Sequence, residues 1–262
     1  MKKLIHFVII IQLLLTACSK DDTTRISLEE FLKEVENVCI SATDAVSAPP
    51  GTAIPGDATG VKGFFNLIPD ETIRSMSTCG LLETLLKYYR IGPWHHASSS
   101  LYFPAVTWFN DNLRANKVAM ELFNRNDVFS VLVSKYPKVI KDSEETNYTL
   151  PLQYFEILLA SDMCMAALNK EERILLMGLV LKKMEAKYLN TTCHVMIAVM
   201  KSCNYTPFMK TIGAKLQETA NGYTFDSPDK NGLHHIGLGD YRAGIIVNYA
   251  KRFLKDTKIR ML

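Results

Sequence analysis

The sequence predicts an all-α fold. Apolar residues recur at helical spacing along most of the chain, and helix-start signals precede several of these stretches. The alternation of apolar and polar residues that is typical of β-hairpins is nearly absent, and it fails around both Asn-Gly pairs, at Asn221 and Asn231. We therefore expect helices along the chain and no β-hairpin at either pair.

The first predicted helices are separated by turn-forming residues. A capping box that begins at Ser27 opens a helix with an apolar face. The Pro- and Gly-rich stretch 47–60 ends that helix and predicts a loop. Residues 70–90 return to a helical pattern in two pieces, with Ser77 as the cap of the second piece.

The rest of the chain continues as helix after helix. Further helices are predicted over 104–113, 115–124, 127–136, 151–163, 170–189, 192–202 and 207–219, and a last one begins at Asp240. The helix over 170–189, capped by Asn169 with Glu172, is apolar almost all round, so other elements must cover it on more than one side.

Two resemblances concern the architecture. Residues 151–219 resemble armadillo/HEAT-type helical repeats in their pattern of successive helices with short connections, which implies an α-solenoid. An irregular closed helical bundle is the alternative. Residues 68–136, with the stretch Met76 to Thr84, resemble uncharacterised exported helical proteins of gut bacteria, and no activity follows from that resemblance.

Residues 1–17 are predicted to be a signal peptide. Lys2 and Lys3 precede an apolar stretch, 4–15, which is too short to span a bilayer. The motif Leu15-Thr16-Ala17-Cys18 resembles the lipobox of bacterial lipoproteins, in which the signal is removed and the Cys is acylated. A plain secretory signal followed by a chance Cys is the alternative.

Acylation of Cys18 implies a membrane anchor. Each buried CH₂ contributes about 0.8 kcal/mol, so several acyl chains hold a protein on a membrane permanently. Residues 18–26 would form the acylated tether, and 27–262 a single all-helical domain. The tetrapeptide Ser19-Lys20-Asp21-Asp22 resembles the tag of surface lipoproteins in Bacteroidetes-type bacteria. The location implied is the outer membrane, exposed on the cell surface, with its periplasmic face as the alternative.

The net charge argues against one class of partner, and the cysteine count limits the possible disulfides. Removal of Lys2 and Lys3 lowers the formal net charge from +3 to +1, and a nearly neutral domain argues against a nucleic-acid partner. Five cysteines remain after Cys18, an odd number, so at least one thiol is unpaired. Most of them lie in apolar helical patterns, where a free Cys acts as a small hydrophobe, and we expect no bridge between Cys193 and Cys203.

Two loops contain the candidate site residues. The first carries Trp94, His95, His96, Tyr102 and Trp108, and the second carries His234, His235, Asp240 and Arg242. Two His near several Ser are residue types that bind a metal or activate a nucleophile, but neither H-E-x-x-H nor G-x-S-x-G is present. We treat the four His and Asp240 as weak catalytic candidates, and Trp94, Tyr102, Trp108 and Arg242 as candidate binding residues.

Two further groups are interpreted as structural. Cys193, His194 and Met196, with the run 163–165, offer soft ligands that suit copper(I), but their helical spacing favours a core, so we expect no metal. The helix carboxylates Glu83, Glu156 and Glu185 are interpreted as solvated faces or salt-bridge partners.

The leading hypothesis is a non-catalytic, lipid-anchored envelope protein that presents a helical-repeat surface to a protein, peptide or glycan. No cofactor is expected. The first alternative is an extracytoplasmic hydrolase that brings His95 or His96 next to His234 or His235. The second is a purely structural component of the envelope.

Overall fold

The computed structural model describes most of the chain, and most of what it describes is helical, which confirms the all-α prediction. The described residues are 28–39, 41–47, 65–89, 110–111, 113–146, 150–184, 190–213, 216–219, 222–225 and 240–257. The predicted signal peptide and tether, the greater part of the 47–60 loop and the predicted helix start at Pro104 lie outside these residues.

Between residues 117 and 208 the described helices follow one another with few residues between them. The helices of the described residues are α1 (Leu28–Val35), α2 (Asp70–Ser75), α3 (Thr78–Tyr89), α4 (Lys117–Phe123), α5 (Val128–Thr146), α6 (Leu150–Ala160), α7 (Asp162–Ala167), α8 (Lys170–Met184), α9 (Asn190–Ser202), α10 (Thr206–Phe208) and α11 (Asp240–Asp256). A π-helical turn, Met209–Gly213, continues α10.

Side-chain caps fix several helix starts where the sequence predicts them. Asn169 and Glu172 form a reciprocal capping box, because each side chain accepts a hydrogen bond from the backbone N–H of the other, at 2.9 and 2.8 Å. At the start of α3, Ser77 Oγ accepts a hydrogen bond from Gly80 N at 3.0 Å, which confirms Ser77 as its cap.

The core is centred on α9. This helix packs against α6, α8 and α11, and every residue from Thr191 to Met200 is buried. Aromatic pairs extend the core on either side: Tyr136 stacks on Phe155, and Tyr205 meets Phe253 edge to face. The amphipathic pattern of the sequence is thereby satisfied by helix-on-helix packing.

Two predicted helices have different boundaries in the structure. The helix expected to continue from Pro151 to Met163 breaks at Ser161, whose side chain accepts a hydrogen bond from Cys164 N and so starts the separate helix α7. By contrast, α5 is longer than predicted, because it continues past Tyr136 through Pro137 to Thr146. Tertiary packing on both sides of Pro137 tolerates the missing backbone donor there.

The described fold is otherwise helical, but the expectation of no β-hairpin near Asn221 is wrong. The strands β1 (Leu216–Thr219) and β2 (Gly222–Phe225) pair antiparallel, with Thr219 opposite Gly222. The helix expected over 207–219 therefore stops at Gly213. The two strands are joined across residues 220–221, which lie outside the described residues.

The interpretation of the cysteines as core hydrophobes does not hold for Cys39 and Cys79. These two residues form a disulfide with a Cα–Cα distance of 5.5 Å. Within the described residues, Cys164, Cys193 and Cys203 form no disulfide, so the expectation of no bridge between the last two is confirmed. The disulfide joins positions that are 40 residues apart, and no local pattern in the sequence reveals such a pairing.

The segment 41–47, which we call the strap, lies along α3 beyond this disulfide. Asp44 accepts hydrogen bonds from Ser77 N at 2.5 Å and from Ser77 Oγ at 3.0 Å. Further along, Val46 N donates to Thr84 Oγ1 at 3.0 Å. The disulfide and the strap together hold α1 and its C-terminal continuation against the helical body.

Candidate functional site

The site residues suggested by the sequence fall mainly outside the described part of the chain. Cys18, the first loop with Trp94, His95, His96, Tyr102 and Trp108, and the His234–His235 pair all lie there. Asp240 and Arg242 lie in the first turn of α11, and their side chains are not described. The proximity of the two His-His loops, on which the hydrolase alternative depends, therefore stays a prediction.

A buried polar cluster is the first feature that sequence reasoning missed. Glu156, on α6, is completely buried, so of the two roles that the sequence suggested it is a salt-bridge partner, of Lys183, and not a solvated carboxylate. Its Oε1 accepts hydrogen bonds from Tyr136 Oη at 2.6 Å and from Lys183 Nζ at 2.6 Å. Thr192 Oγ1 donates to the same oxygen at 2.9 Å, and Thr191 Oγ1 donates to Oε2 at 2.5 Å. We call these five residues the Glu156 cluster.

The cluster contains one ion pair, and its hydrogen bonds link four helices. Tyr136 comes from α5, Lys183 from α8, and both threonines from the first turn of α9. Burial, together with the charge and hydrogen bond of Glu156, raises the pKa of Tyr136 well above its ordinary value, so the phenol stays neutral and donates. Because every partner is a donor, the buried carboxylate is satisfied.

The surroundings of the cluster point to a structural role. Glu, Lys, Tyr and Thr are residue types that carry acid–base or nucleophilic chemistry, but a reaction also needs space for a substrate. The gap beside Tyr136 is lined by apolar side chains such as Phe129, Leu132 and Leu176, and it has no room for a water molecule. The cluster therefore fixes how four helices pack.

The one sequence signal for this cluster lies in α6. Glu156 is the only charged residue between Leu150 and Ala160, and apolar residues flank it on both sides. A helix without a polar face is buried on all sides, so a charge in it needs a buried partner. The sequence does not say which of the many lysines supplies that partner.

The soft-ligand group suggested by the sequence lies in the core. Cys164, Cys193 and Met196 are fully buried, and burial raises the pKa of the Cys164 thiol far above its ordinary value. Burial also lowers the pKa of His194 to about 4, which keeps its imidazole neutral at physiological pH. Within the described ranges, no group of three or more His, Cys, Asp or Glu is placed to hold a metal ion.

A surface groove is the second feature that sequence reasoning missed. It has a volume of about 660 Å³ and lies between α2, α4 and α7. Ile73 and Phe123 form its buried floor, while Met120, which is 48% exposed, and the partly buried Met163 form its apolar walls. We call this site the Met120 groove.

Charged residues surround the apolar part of the Met120 groove. Lys117 Nζ lies 2.8 Å from Asp70 Oδ1, and its hydrogen bond and charge lower the pKa of that carboxyl group. On the other side, Arg125 pairs with Glu121 at 2.8 Å and donates to the backbone carbonyl of Arg74. These contacts tie α2 to α4, so the groove is held open by fixed helices.

Side-chain caps fix the starts of α4 and α7, the two helices that carry the methionines of the groove. Asn116 Oδ1 accepts hydrogen bonds from Val118 N at 2.9 Å and Ala119 N at 3.2 Å, which fixes the start of α4. Asn110 Oδ1 accepts a hydrogen bond from Asp162 N at 3.0 Å, at the start of α7. Polar residues at helix ends thus orient the apolar side chains of the groove.

Comparison with known proteins adds no assignment. No protein-family model, curated protein or solved structure matches this chain. In the part of the chain that the structure describes, no helix has both the length and the hydrophobicity to cross a membrane. Inferences about function therefore rest on the residues and geometry of the chain itself.

Proposed function

We propose that this protein is a lipid-anchored component of a bacterial cell envelope that binds a partner polypeptide without catalysing a reaction. The Met120 groove is the observation that carries this proposal. It combines a buried apolar floor, a half-exposed methionine and a charged rim. Preformed clefts with these features are typical of binding sites.

The chemistry of the groove favours a polypeptide partner over a glycan. Ile73, Phe123 and the two methionines offer apolar surface for aliphatic or aromatic side chains. Methionine adapts its shape to different apolar partners, which suits a surface that accepts a peptide segment. The ion pairs at Lys117 and Glu121 offer polar contacts to the backbone and flanking side chains of such a segment.

The residence of the protein rests on its N-terminal motif. Cys18 follows a lipobox-like motif, and acylation there would attach the domain to a membrane through the tether 18–26. The Cys39–Cys79 disulfide supports an exported protein, because such bonds persist in oxidising compartments. We propose the outer membrane with exposure at the cell surface, and its periplasmic face is the alternative that protease treatment of intact cells distinguishes.

The finer architecture is also a proposal. The burial of residues 191–200 of α9 among α6, α8 and α11 supports an irregular closed bundle over a solenoid, in which each helix keeps an outward side. In a closed bundle the groove between α2, α4 and α7 replaces the concave face of a solenoid as the binding surface.

The anchor is tested by labelling cells with a radioactive fatty acid. The expected result is label on the full chain and none on a Cys18→Ser variant, together with recovery of the full chain in membranes. An unlabelled chain that is released into the medium would contradict the proposed anchor.

The groove is tested with peptides selected from a random library against the acylated chain in detergent. Met120→Lys places a charge on the apolar wall, and we expect at least about a tenfold loss of affinity, or 1.4 kcal/mol. Val38→Lys is the matched control, because Val38 is 44% exposed and Met120 is 48% exposed. Equal loss of affinity in both variants, or in neither, would show that the peptides bind elsewhere.

A further inference from the structure

The disulfide joins two cysteines that follow each other in the sequence. Cys39 and Cys79 are the first two cysteines after Cys18, and the three that follow, Cys164, Cys193 and Cys203, form no disulfide within the described residues. With five thiols in one chain, ten pairings are possible. The pair that forms is the one nearest to the N-terminus after Cys18.

In the folded protein both disulfide-bonded cysteine residues are buried. Cys39 is 1% exposed and Cys79 is 8% exposed. Cys39 N donates to Ser134 Oγ at 3.1 Å, and Lys138 Nζ donates to the Cys39 carbonyl at 2.8 Å, so α5 holds the backbone of Cys39 in place. A pair buried in this way is shielded from an oxidising protein while the fold is closed, so the bond forms more readily before Cys39 docks on α5.

We propose that the Cys39–Cys79 bond forms during export, in order of emergence, and that this chain is a substrate of an envelope thiol–disulfide oxidoreductase. The inference rests on the proposed export from an N-terminal signal, which delivers Cys39 and Cys79 before Cys164. Acylation converts the thiol of Cys18 into a thioether and so removes it from pairing.

The chemistry of the step balances with the oxidant named. The thiolate of one cysteine attacks the disulfide of the oxidoreductase and forms a mixed disulfide, and one sulfur of the enzyme leaves as a thiolate. The second cysteine of the chain then attacks the mixed disulfide and releases the other enzyme sulfur. The two thiols of the chain lose two electrons and two protons, and the enzyme becomes a dithiol.

Lipidation of Cys18 therefore decides the pairing as well as the anchoring. If Cys18 kept its thiol, the first two thiols to emerge would be Cys18 and Cys39, and Cys79 would be left to pair with Cys164 or stay free. Cys164 is completely buried in its own helical environment, so such pairing is incompatible with the fold.

The test maps disulfides by mass spectrometry after acid trapping, in cells that lack a disulfide isomerase. The native chain is expected to contain the 39–79 bond with three free thiols. When an ordinary secretory signal replaces residues 1–17 and Cys18 is retained unacylated, the 39–79 bond is expected to fall several-fold and an 18–39 bond to appear. Cys18→Ser behind the same secretory signal is expected to restore the 39–79 bond.

The outcomes separate this inference from the proposed function. A secreted, unacylated chain that still forms only the 39–79 bond would overturn pairing by order of emergence. Normal yield of the bond in cells without a thiol oxidoreductase would overturn the role of the enzyme. Absence of acyl groups on native Cys18 is measured in the same spectra and contradicts the proposed anchor instead.

Discussion

Replacing Gly80 with alanine is expected to destabilise this protein, although removal of a glycine from a helix normally stabilises it. Gly80 lies in the first turn of α3, directly beneath the strap. A Cβ at this position would lie 2.3 Å from Asp44 Oδ1 and 2.7 Å from Asp44 Cγ. The carboxylate must therefore move, and it then loses its hydrogen bonds to Ser77 N and Ser77 Oγ.

The expected magnitude follows from two opposing effects. Alanine in place of a helical glycine contributes about 1 kcal/mol of stability. Asp44 is largely exposed, so each of its two lost hydrogen bonds costs about 1 kcal/mol, less than a bond to a buried charged group. The net expectation is a loss of about 1 kcal/mol, which lowers the Tm by about 2–4 °C.

The assay is thermal and urea unfolding of the acylated chain in non-ionic detergent, followed by circular dichroism. Gly244→Ala in α11 is the matched control, because nothing lies within 4 Å of the Cβ added there, and we expect it to stabilise the protein by about 1 kcal/mol. In an Asp44→Ala background, Gly80→Ala is expected to become stabilising as well. Equal stabilisation by Gly80→Ala and Gly244→Ala in the otherwise native chain would refute the close approach of Asp44.

The same contact predicts a dependence on pH. Partial burial raises the pKa of Asp44, but the hydrogen bonds from Ser77 lower it more, so the pKa lies below its ordinary value of 3.8. The stabilisation is therefore present above about pH 3.8 and is lost as the pH falls through the lower folded pKa. The difference between Gly80→Ala and the native chain should shrink in strong acid.

Three further predictions concern the core and the disulfide. Glu156→Gln leaves the buried charge of Lys183 without a counter-charge, and it should lower the free energy of unfolding in urea by about 3–5 kcal/mol. Adding Lys183→Met should recover part of this loss. Full native stability of Glu156→Gln would contradict a tight ion pair. Changing Cys39 and Cys79 together to Ala opens a 40-residue loop and should lower the free energy of unfolding by about 4 kcal/mol. An unchanged free energy of unfolding would show that the strap alone holds α1. Burial lowers the pKa of His194 from 6.5 to about 4. The free energy of unfolding should therefore be highest above about pH 6.5 and fall as the pH falls towards 4. His194→Gln should flatten this dependence, and an unchanged dependence in that variant would contradict the role of His194.

Local signals in the sequence account for much of the helical framework. The capping box at Asn169 and the cap at Ser77 depend on residues within one turn of each other, so spacing alone identifies them. The division of residues 70–90 into two helices is predicted for the same reason. These features need no knowledge of which helices meet in space.

The features that the sequence does not reveal depend on distant partners. Glu156 is buried because Lys183 and the threonines of α9 satisfy it, and the Cys39–Cys79 pair closes a separation of 40 residues. The break at Ser161 was missed because Ser inside an apolar pattern has no distinct spacing. The Met120 groove escaped notice because methionines at helical spacing normally indicate a core.

Photo-crosslinking in intact cells tests the central proposal most directly. A benzoylphenylalanine at position 120 of the acylated chain should yield a crosslinked product that a protease digests and a glycosidase does not. The same probe at position 38, on a comparably exposed side chain, should yield little product. Equal yields at the two positions, or a product that only glycosidase removes, would contradict a polypeptide partner in the Met120 groove.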